Sequence, residues 1–418
     1  MRIAYVVSRF PQVTETFILR ELNAVTGQPG IEAELLSLFP PLDPTVHPAA
    51  RPWLDRVHRP GLGESLRALT RSMLARPMRT LSSIALIVGG YARAPRRLVR
   101  ALVTIPLAAA HASHLRRIGV VHVHAHYATY PALAAWWCWR LAGIPYSITP
   151  HAHDIFIDQS FLERKVSEAR FVIAISEYNR RFLAPFGAGR SAPIHVVRYG
   201  IEPSAYPFRP REPHANGPVR ALCVASLQTY KGHEVLFTAL ARGGERLRRI
   251  ELDLVGSGEL RQQLERLAER LGLTARVRFL GARTENQVIE HLDQADLFVL
   301  PSIVDSEGSM EGLPNVLIEA LACGLPVVTT RLSGIPELVI DGVTGVLAEP
   351  GDPDALAAAL ERVLDDPDAA RRWAEAGRAR VEREFDIKDS AARLAALFMA
   401  AGSLDSRSHG DLTKQAAD

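Results

Sequence analysis

The chain has 418 residues, 47% of them hydrophobic, and carries a net charge of +3 at neutral pH. That length predicts two or three domains with sizeable cores. Its three cysteines, Cys138, Cys223 and Cys323, lie far apart with no C-x-x-C pair, which argues against a disulfide framework or a zinc ribbon and for a reducing compartment. The start, Met1 to Val7, turns polar too soon for a signal peptide and reads as a buried strand. No apolar run approaches the ~20 residues that span a bilayer; the best candidates are 84–90 and 101–110.

In chain order, a strand at 3–7 leads into Ser8-Arg9-Phe10-Pro11-Gln12-Val13-Thr14-Glu15-Thr16-Phe17-Ile18. This segment places polar groups and a helix start, with Thr14 as N-cap, directly after the first strand. A helix over 15–25 and a strand over 33–38 follow. Residues 51–118 then hold thirteen arginines against Asp55 and Glu64, a net of +11 that leaves −8 for the rest of the +3 chain. Leu66, Leu69, Leu74, Leu81, Ile84, Leu98, Leu102 and Ile105 interleave with them, which predicts amphipathic helices with a basic face. Such helices lie in the plane of an anionic membrane surface; the plainer alternative is a solvated helical insertion. Nucleic acid is disfavoured because no aromatic platform interleaves the arginines.

The β/α alternation resumes with strands near 120–124, 146–149, 171–174 and 194–197, with helices over 131–141 and 177–185 between them. In His122-Val-His124-Ala-His126 the period of two puts three imidazoles on one strand face. Pro150-His151-Ala152-His153-Asp154 follows the next strand. Histidines and an aspartate can bind zinc. Parallel strands are buried on both faces, however, so His122 and His124 read as core side chains with satisfied ring nitrogens, and no metal is expected.

Prolines 203, 207, 210, 213 and 218 rule out a regular helix or central strand and mark a linker. A second series of strands follows at 219–225, 251–255, 276–280, 297–300 and 327–329. The fold class is therefore α/β, with right-handed βαβ units, parallel sheets and ligands at the carboxyl ends of the strands. Glu311-Gly312-Leu313-Pro314-Asn315-Val316-Leu317-Ile318-Glu319 holds two carboxylates, one in a loop and one in a helix. Eight helical positions rise only ~12 Å, so both can reach one polyhydroxylated ligand. The helix start near Asn315 offers backbone N–H groups and a positive dipole end to a diphosphate. The segment 389–400 is apolar at helical spacing, and the polar tail beyond Gly402 is expected to be disordered.

The Glu311 to Glu319 stretch, with Ala322-Cys323-Gly324-Leu325-Pro326-Val327-Val328 after it, resembles the Glu-x7-Glu motif of retaining GT-B glycosyltransferases of family 4. Ser8 to Ile18 and His124-Ala125-His126-Tyr127 are similar to exopolysaccharide and colanic-acid-type members. The resemblance implies two Rossmann-like lobes facing each other across a cleft. It makes 1–210 an acceptor-binding lobe with the basic insertion at about 51–118, and 211–385 a nucleotide-sugar-binding lobe. A C-terminal helix at 386–402 and a disordered tail at 403–418 complete the chain. By resemblance Lys231 holds the diphosphate, Glu311 lies beside the donor sugar, Glu319 bonds the ribose, and His151 approaches the sugar, making His151, Glu311 and Lys231 the catalytic candidates. Ser226, Gly256, Gly258, Leu280, Gly312, Leu313, Pro314 and Asn315 join them in donor binding, with Ser226 where the family places an arginine. Glu15, Thr16, His126, His153 and Asp154 are the acceptor or sugar-side candidates.

The implied reaction moves a hexose, with retention, from a UDP- or GDP-sugar to a lipid-linked saccharide. It takes place at the cytoplasmic face of the plasma membrane, in exopolysaccharide or surface-glycan synthesis. No cofactor or metal is expected: Asp352-Pro-Asp354 and Asp366-Pro-Asp368 each precede a helix and read as caps. The alternatives are a nucleotide-sugar epimerase on the same fold and a non-catalytic nucleotide-sugar-binding subunit.

Overall fold

The computed structural model describes residues 1–12, 15–42, 46–187, 192–209, 211 and 217–414, without the side chains of His153 and of 403–414. It divides into two compact units. The first comprises Met1–Ile175, Arg180–Gly200 and the C-terminal segment from Ile387; the second comprises Ser176–Asn179 and Ile201–Asp386.

The first unit is built on seven parallel strands: β1 (Arg2–Arg9), β2 (Glu32–Phe39), β3 (Val57–His58), β4 (His122–His126), β5 (Tyr146–Thr149), β6 (Phe171–Ala174) and β7 (Ile194–Val196), in the order β3-β2-β1-β4-β5-β6-β7. The order reverses between β1 and β4, where Tyr5 pairs with His124. One sheet face packs Ala4, Val6, Val123 and Ala125 with residues from helices Pro95–Arg117 and Tyr130–Ala142. The other packs Ile3 and Tyr5 beneath helix Thr16–Thr26 and the last helix, Ile387–Lys414. That last helix is no separate element. Ala391, Leu394, Ala395 and Phe398 bury its apolar stripe in the first unit's core, and it continues through 403–414, where the sequence suggested a disordered tail.

The arginine-rich segment forms helices Leu62–Ala75, Pro77–Tyr91 and Pro95–Arg117. Pro77 and Pro95 open their helices, where a missing N–H costs nothing. The inward faces use small and short polar residues, including Ser65, Ala68, Thr80, Ser83, Ala101 and Thr104, which let the helices approach closely. The buried hydroxyls are satisfied by carbonyls four residues back, as in Ser83 to Arg79 at 2.7 Å and Thr104 to Arg100 at 2.9 Å. Leu66, Leu74, Leu81 and Leu102 are left exposed, while Ile105 is buried. Helix Pro95–Arg117 is long and apolar enough to cross a membrane by length and composition, although its apolar run at 101–110 is short and interrupted by Thr104. Half of its apolar window is buried within the unit, as expected of a core helix.

The second unit carries six parallel strands: β8 (Val219–Val224), β9 (Ile250–Val255), β10 (Val277–Gly281), β11 (Leu297–Leu300), β12 (Val327–Thr330) and β13 (Val346–Ala348), ordered β10-β9-β8-β11-β12-β13. β3 and β13 are only two and three residues long, too short to show a period in the sequence. The units part after Gly200, ten residues before the expected boundary at 210. Pro203 is buried in a short turn of the second unit, and Pro210 and Pro213 lie outside the described residues.

Candidate functional site

In the second unit the strand order reverses between β8 and β11, and ligands of open α/β sheets bind at the carboxyl edge of such a reversal. Lys231 closes a short turn after β8, and Gly232 follows it with φ +73°. A Cβ on Gly232 would sit 1.9 Å from the Pro301 carbonyl oxygen, so only glycine lets the next helix start against the exit of β11. The Lys231 ammonium donates to Glu311 Oε1, and the two side chains are 15% and 13% exposed. Its Nζ also lies 5.0 Å from the centroid of the Tyr230 ring. Burial pulls the Lys231 pKa down, and the adjacent carboxylate opposes that shift by favouring the charged form.

The loop that carries Glu311 is held from behind. Ser333 Oγ donates to the carbonyls of Glu311 and Gly312 at 2.5 and 2.7 Å, and Gly334 N donates to Gly312 at 3.1 Å. Leu313 and Pro314 are buried, and helix Asn315–Ala322 begins directly after them with no side chain capping it. Its first N–H groups therefore remain for water or a ligand. Glu319 is half-buried in that helix. Gly256 and Gly258 follow β9 because backbone passes too close for anything larger: a Cβ would meet Ala225 O at 1.8 Å and Leu227 O at 2.4 Å, respectively. Gly256 N reaches Gly281 O at 2.9 Å, which ties this loop to the end of β10 beside Leu280. Ser226 is half-buried and donates to Gln228 Oε1 at 3.3 Å, so a short hydroxyl stands where the resemblance implied a cation.

The candidates of the second lobe thus gather along one edge of one sheet, with direct contact between Lys231 and Glu311. The two Asp-Pro-Asp strings lie elsewhere and cap helices, as expected. Asp352 accepts from the amides of Asp354 and Ala355 at 2.9 and 3.0 Å, and Asp366 from Ala369 at 2.8 Å.

In the first unit the imidazoles of His122, His124 and His126 share one buried face. Ser147 Oγ joins His122 Nε2 at 2.7 Å and His124 Nδ1 at 2.8 Å, and Thr149 Oγ1 meets His124 Nε2 at 3.0 Å. His126 lies between Glu21 Oε1 (3.1 Å from Nε2) and His151 Nε2 (3.3 Å from Nδ1). His151 Nδ1 in turn meets the hydroxyl of Tyr199. Burial and the neighbouring imidazole hold His151 well below the usual histidine range. Glu21, His124 and His126 are the set among the described residues whose ligand atoms lie close enough for a metal ion. Each ring nitrogen of those two histidines has a protein partner.

Glu15 stands at the start of helix Thr16–Thr26, where the sequence suggests Thr14, a residue outside the described set. Burial raises the Glu15 carboxyl to about 7, opposed by a hydrogen bond from Tyr127 and the charge of His126. Thr16 is half-buried beside it. Asp154 was expected on the sugar side, but its carboxylate is turned inward onto the backbone amides of Ala128 and His151, the latter at 2.7 Å. It braces the ends of β4 and β5, and burial raises it to about 7. The His153 side chain lies outside the described set. Sequence reasoning missed Glu21, Tyr199 and Ser333. Glu21 had a signal: it lies three residues after Ile18 and four before Val25, on the buried stripe of its helix. Tyr199 and Ser333 had none, because their partners are distant in the chain.

Residues 207–380 match the family described as Glycosyl transferases group 1, and residues 65–205 match Glycosyltransferase Family 4. The chain belongs to this glycosyltransferase family. This glycosyltransferase is 38% identical over 193 residues to the amylovoran biosynthesis glycosyltransferase AmsK of Erwinia amylovora, covering 46% of the chain and 47% of AmsK. The chain thus spans about half of that relative. It is 27% identical over 424 residues to the putative colanic acid biosynthesis glycosyltransferase WcaL of Escherichia coli, covering 96% and 100% of the two chains. Anabaena HepE, solved with UDP and glucose, superposes with a TM-score of 0.69 at 19% identity over 96% of this chain and all of that one. That likeness shows the fold, GT-B.

Proposed function

We propose that this glycosyltransferase moves a hexose, with retention, from a UDP- or GDP-sugar to a lipid-linked saccharide in exopolysaccharide or surface-glycan synthesis. The observation that carries this reading is the Lys231–Glu311 pair beside an uncapped helix start at the carboxyl edge of the second sheet. A fixed cation and free N–H groups suit a departing diphosphate, whose charge grows as the glycosidic bond breaks. Glu311 then exchanges its ammonium partner for the donor, and Glu319 takes the ribose. Retention is assigned to front-face displacement, in which the leaving phosphate helps to deprotonate the acceptor hydroxyl. The names of AmsK and WcaL support the glycan context, and the UDP bound in HepE supports a nucleotide-sugar donor.

The placement at the inner face of the plasma membrane is supported by the basic helices. Arg67, Arg71, Arg96 and Arg100 are exposed there beside Leu74 at 80%, Met78 at 79% and Val99 at 62% exposure, a combination suited to an anionic lipid surface. No metal is assigned a role, because Lys231 and backbone amides supply the positive charge.

Thermal shift against UDP-, GDP-, ADP- and dTDP-sugars, followed by transfer to a lipid-linked acceptor with and without EDTA, tests the whole reading. One nucleotide class should raise the wild-type midpoint, by about 2.7 kcal/mol of stabilisation at ~100 times its Kd. Transfer should survive EDTA. Donor binding without transfer would favour the binding-subunit alternative, which Ser226 in place of an arginine motivates. Conversion of the donor with no acceptor present would favour the epimerase.

A further inference from the structure

The donor reading leaves a line of four buried side chains in the first unit unexplained: Glu21, His126, His151 and Tyr199. Glu21 comes from helix Thr16–Thr26, His126 ends β4, His151 follows β5, and Tyr199 lies beyond β7. The contacts run without a break, from Glu21 Oε1 to His126 Nε2 at 3.1 Å, from His126 Nδ1 to His151 Nε2 at 3.3 Å, and from His151 Nδ1 to the Tyr199 hydroxyl. Tyr5 OH adds a bond to the same Glu21 oxygen at 3.2 Å. Rings close the sides: Phe17 and Tyr127 lie 5.1 and 4.3 Å from the His151 centroid, and Tyr199 stacks on it at 10° between planes. His126 is fully buried, and His151 and Tyr199 are each 8% exposed.

A neutral imidazole offers one donor and one acceptor. Both nitrogens of His151 are engaged inside the unit, one by His126 and one by Tyr199. A carboxylate can only accept, so Glu21 requires a proton on His126 Nε2; with His126 neutral, its Nδ1 then accepts from His151 Nε2, and His151 Nδ1 accepts from Tyr199. We propose that Glu21 and Tyr199 are positioning residues, the two ends of a relay that fixes the orientation and tautomer of His151 and leaves its ring no free nitrogen. Resting on the transferase reading, this deepens it: the group assigned beside the donor sugar is held rigid by an acidic residue two side chains away. Rigid placement matters because displacement of a reacting group by about 1 Å can cost on the order of a hundredfold in rate.

The test compares Glu21→Met, which keeps volume but removes the acceptor, with Glu21→Gln, which keeps an acceptor oxygen. Ring 15N spectra of histidine-labelled full-length protein are recorded beside transfer kinetics. Wild type should show a single His151 tautomer. In Glu21→Met the signals of His151 should move together with those of His126, although Glu21 touches only the latter. The kcat should fall on the order of ten- to a hundredfold with donor KM within about twofold, and Glu21→Gln should restore both. Tyr199→Phe, which disturbs the opposite end, should move His151 and leave Glu21 paired; it serves if Glu21→Met does not fold. His151 signals unchanged in both Glu21→Met and Tyr199→Phe would overturn the relay, as would His151 ring signals that shift on adding UDP-sugar. The spectra need no turnover: a wild type without transfer would sink the transferase reading while the relay is still decided by its spectra.

Discussion

Lys231 and Glu311 lie eighty residues apart in the chain and share one ion pair. Removing either partner leaves a mostly buried charge uncompensated, which is costly. Lys231→Ala should therefore abolish the donor-induced rise in melting temperature and lower transfer at least a hundredfold, as expected for loss of a charge that acts mainly on the leaving group. Lys231→Arg should recover only part, because a planar fork does not replace a compact ammonium. Calorimetric titration with the donor and initial rates check both. Asp154 gives a second residue-scale expectation. Its carboxyl is raised from 3.8 to about 7 by burial, so between those values the folded chain holds a proton that the unfolded chain has lost. Stability from this group must then fall as pH rises from about 4 to about 7 and stay level above. Asp154→Asn should flatten that part of the melting-temperature profile, measured by scanning calorimetry from pH 4 to 8.

At the scale of elements, the proposed donor edge depends on loops that approach each other backbone to backbone. Gly256 has φ +148° and no room for a Cβ against Ala225, so Gly256→Ala should destabilise the second unit by at least about 1–3 kcal/mol and weaken donor binding with it. Gly89, exposed near the end of helix Pro77–Tyr91, provides the contrast, because a Cβ added there would have nothing within 4 Å. Gly89→Ala should raise stability by about 0.5–1 kcal/mol. Thermal unfolding of the two variants beside wild type distinguishes a glycine kept for space from one that is merely permitted. The amphipathic pattern in the arginine-rich helices was legible in sequence, but its orientation was not. Ala, Ser and Thr share their inward faces with Leu69, Ile84, Leu98 and Ile105, while Leu66, Leu74, Leu81 and Leu102 face out.

At the scale of the molecule, the basic helices and the proposed donor edge belong to different units, so the proposed membrane attachment and nucleotide binding should be separable. Reversing Arg67, Arg71, Arg96 and Arg100 to Glu should reduce co-sedimentation with phosphatidylserine vesicles at least tenfold, since each basic residue near such a surface contributes about 1 kcal/mol. The same variant should keep its thermal response to the donor. Binding to neutral vesicles should be weak in both proteins, and binding to anionic ones should fall with salt.

Much of this architecture was determined by the sequence alone, because local physics writes it there. The alternation of short apolar runs with helical segments, and the proline breaks, predicted most strands within a residue or two, the parallel α/β class and both halves of the fold. The Glu311 to Glu319 stretch carried the candidate site of the second unit through its resemblance to a family. Tertiary structure decided the rest. The ion pair between Lys231 and Glu311, the inward turn of Asp154 and the line from Glu21 to Tyr199 join residues that no spacing rule connects. They exist because parallel strands return the chain, after each long crossover, to the same edge of the same sheet. The last helix likewise shows its apolar stripe in sequence, but its place beneath Ile3 and Tyr5 depends on which core had an uncovered face, a property of the folded unit and not of the helix.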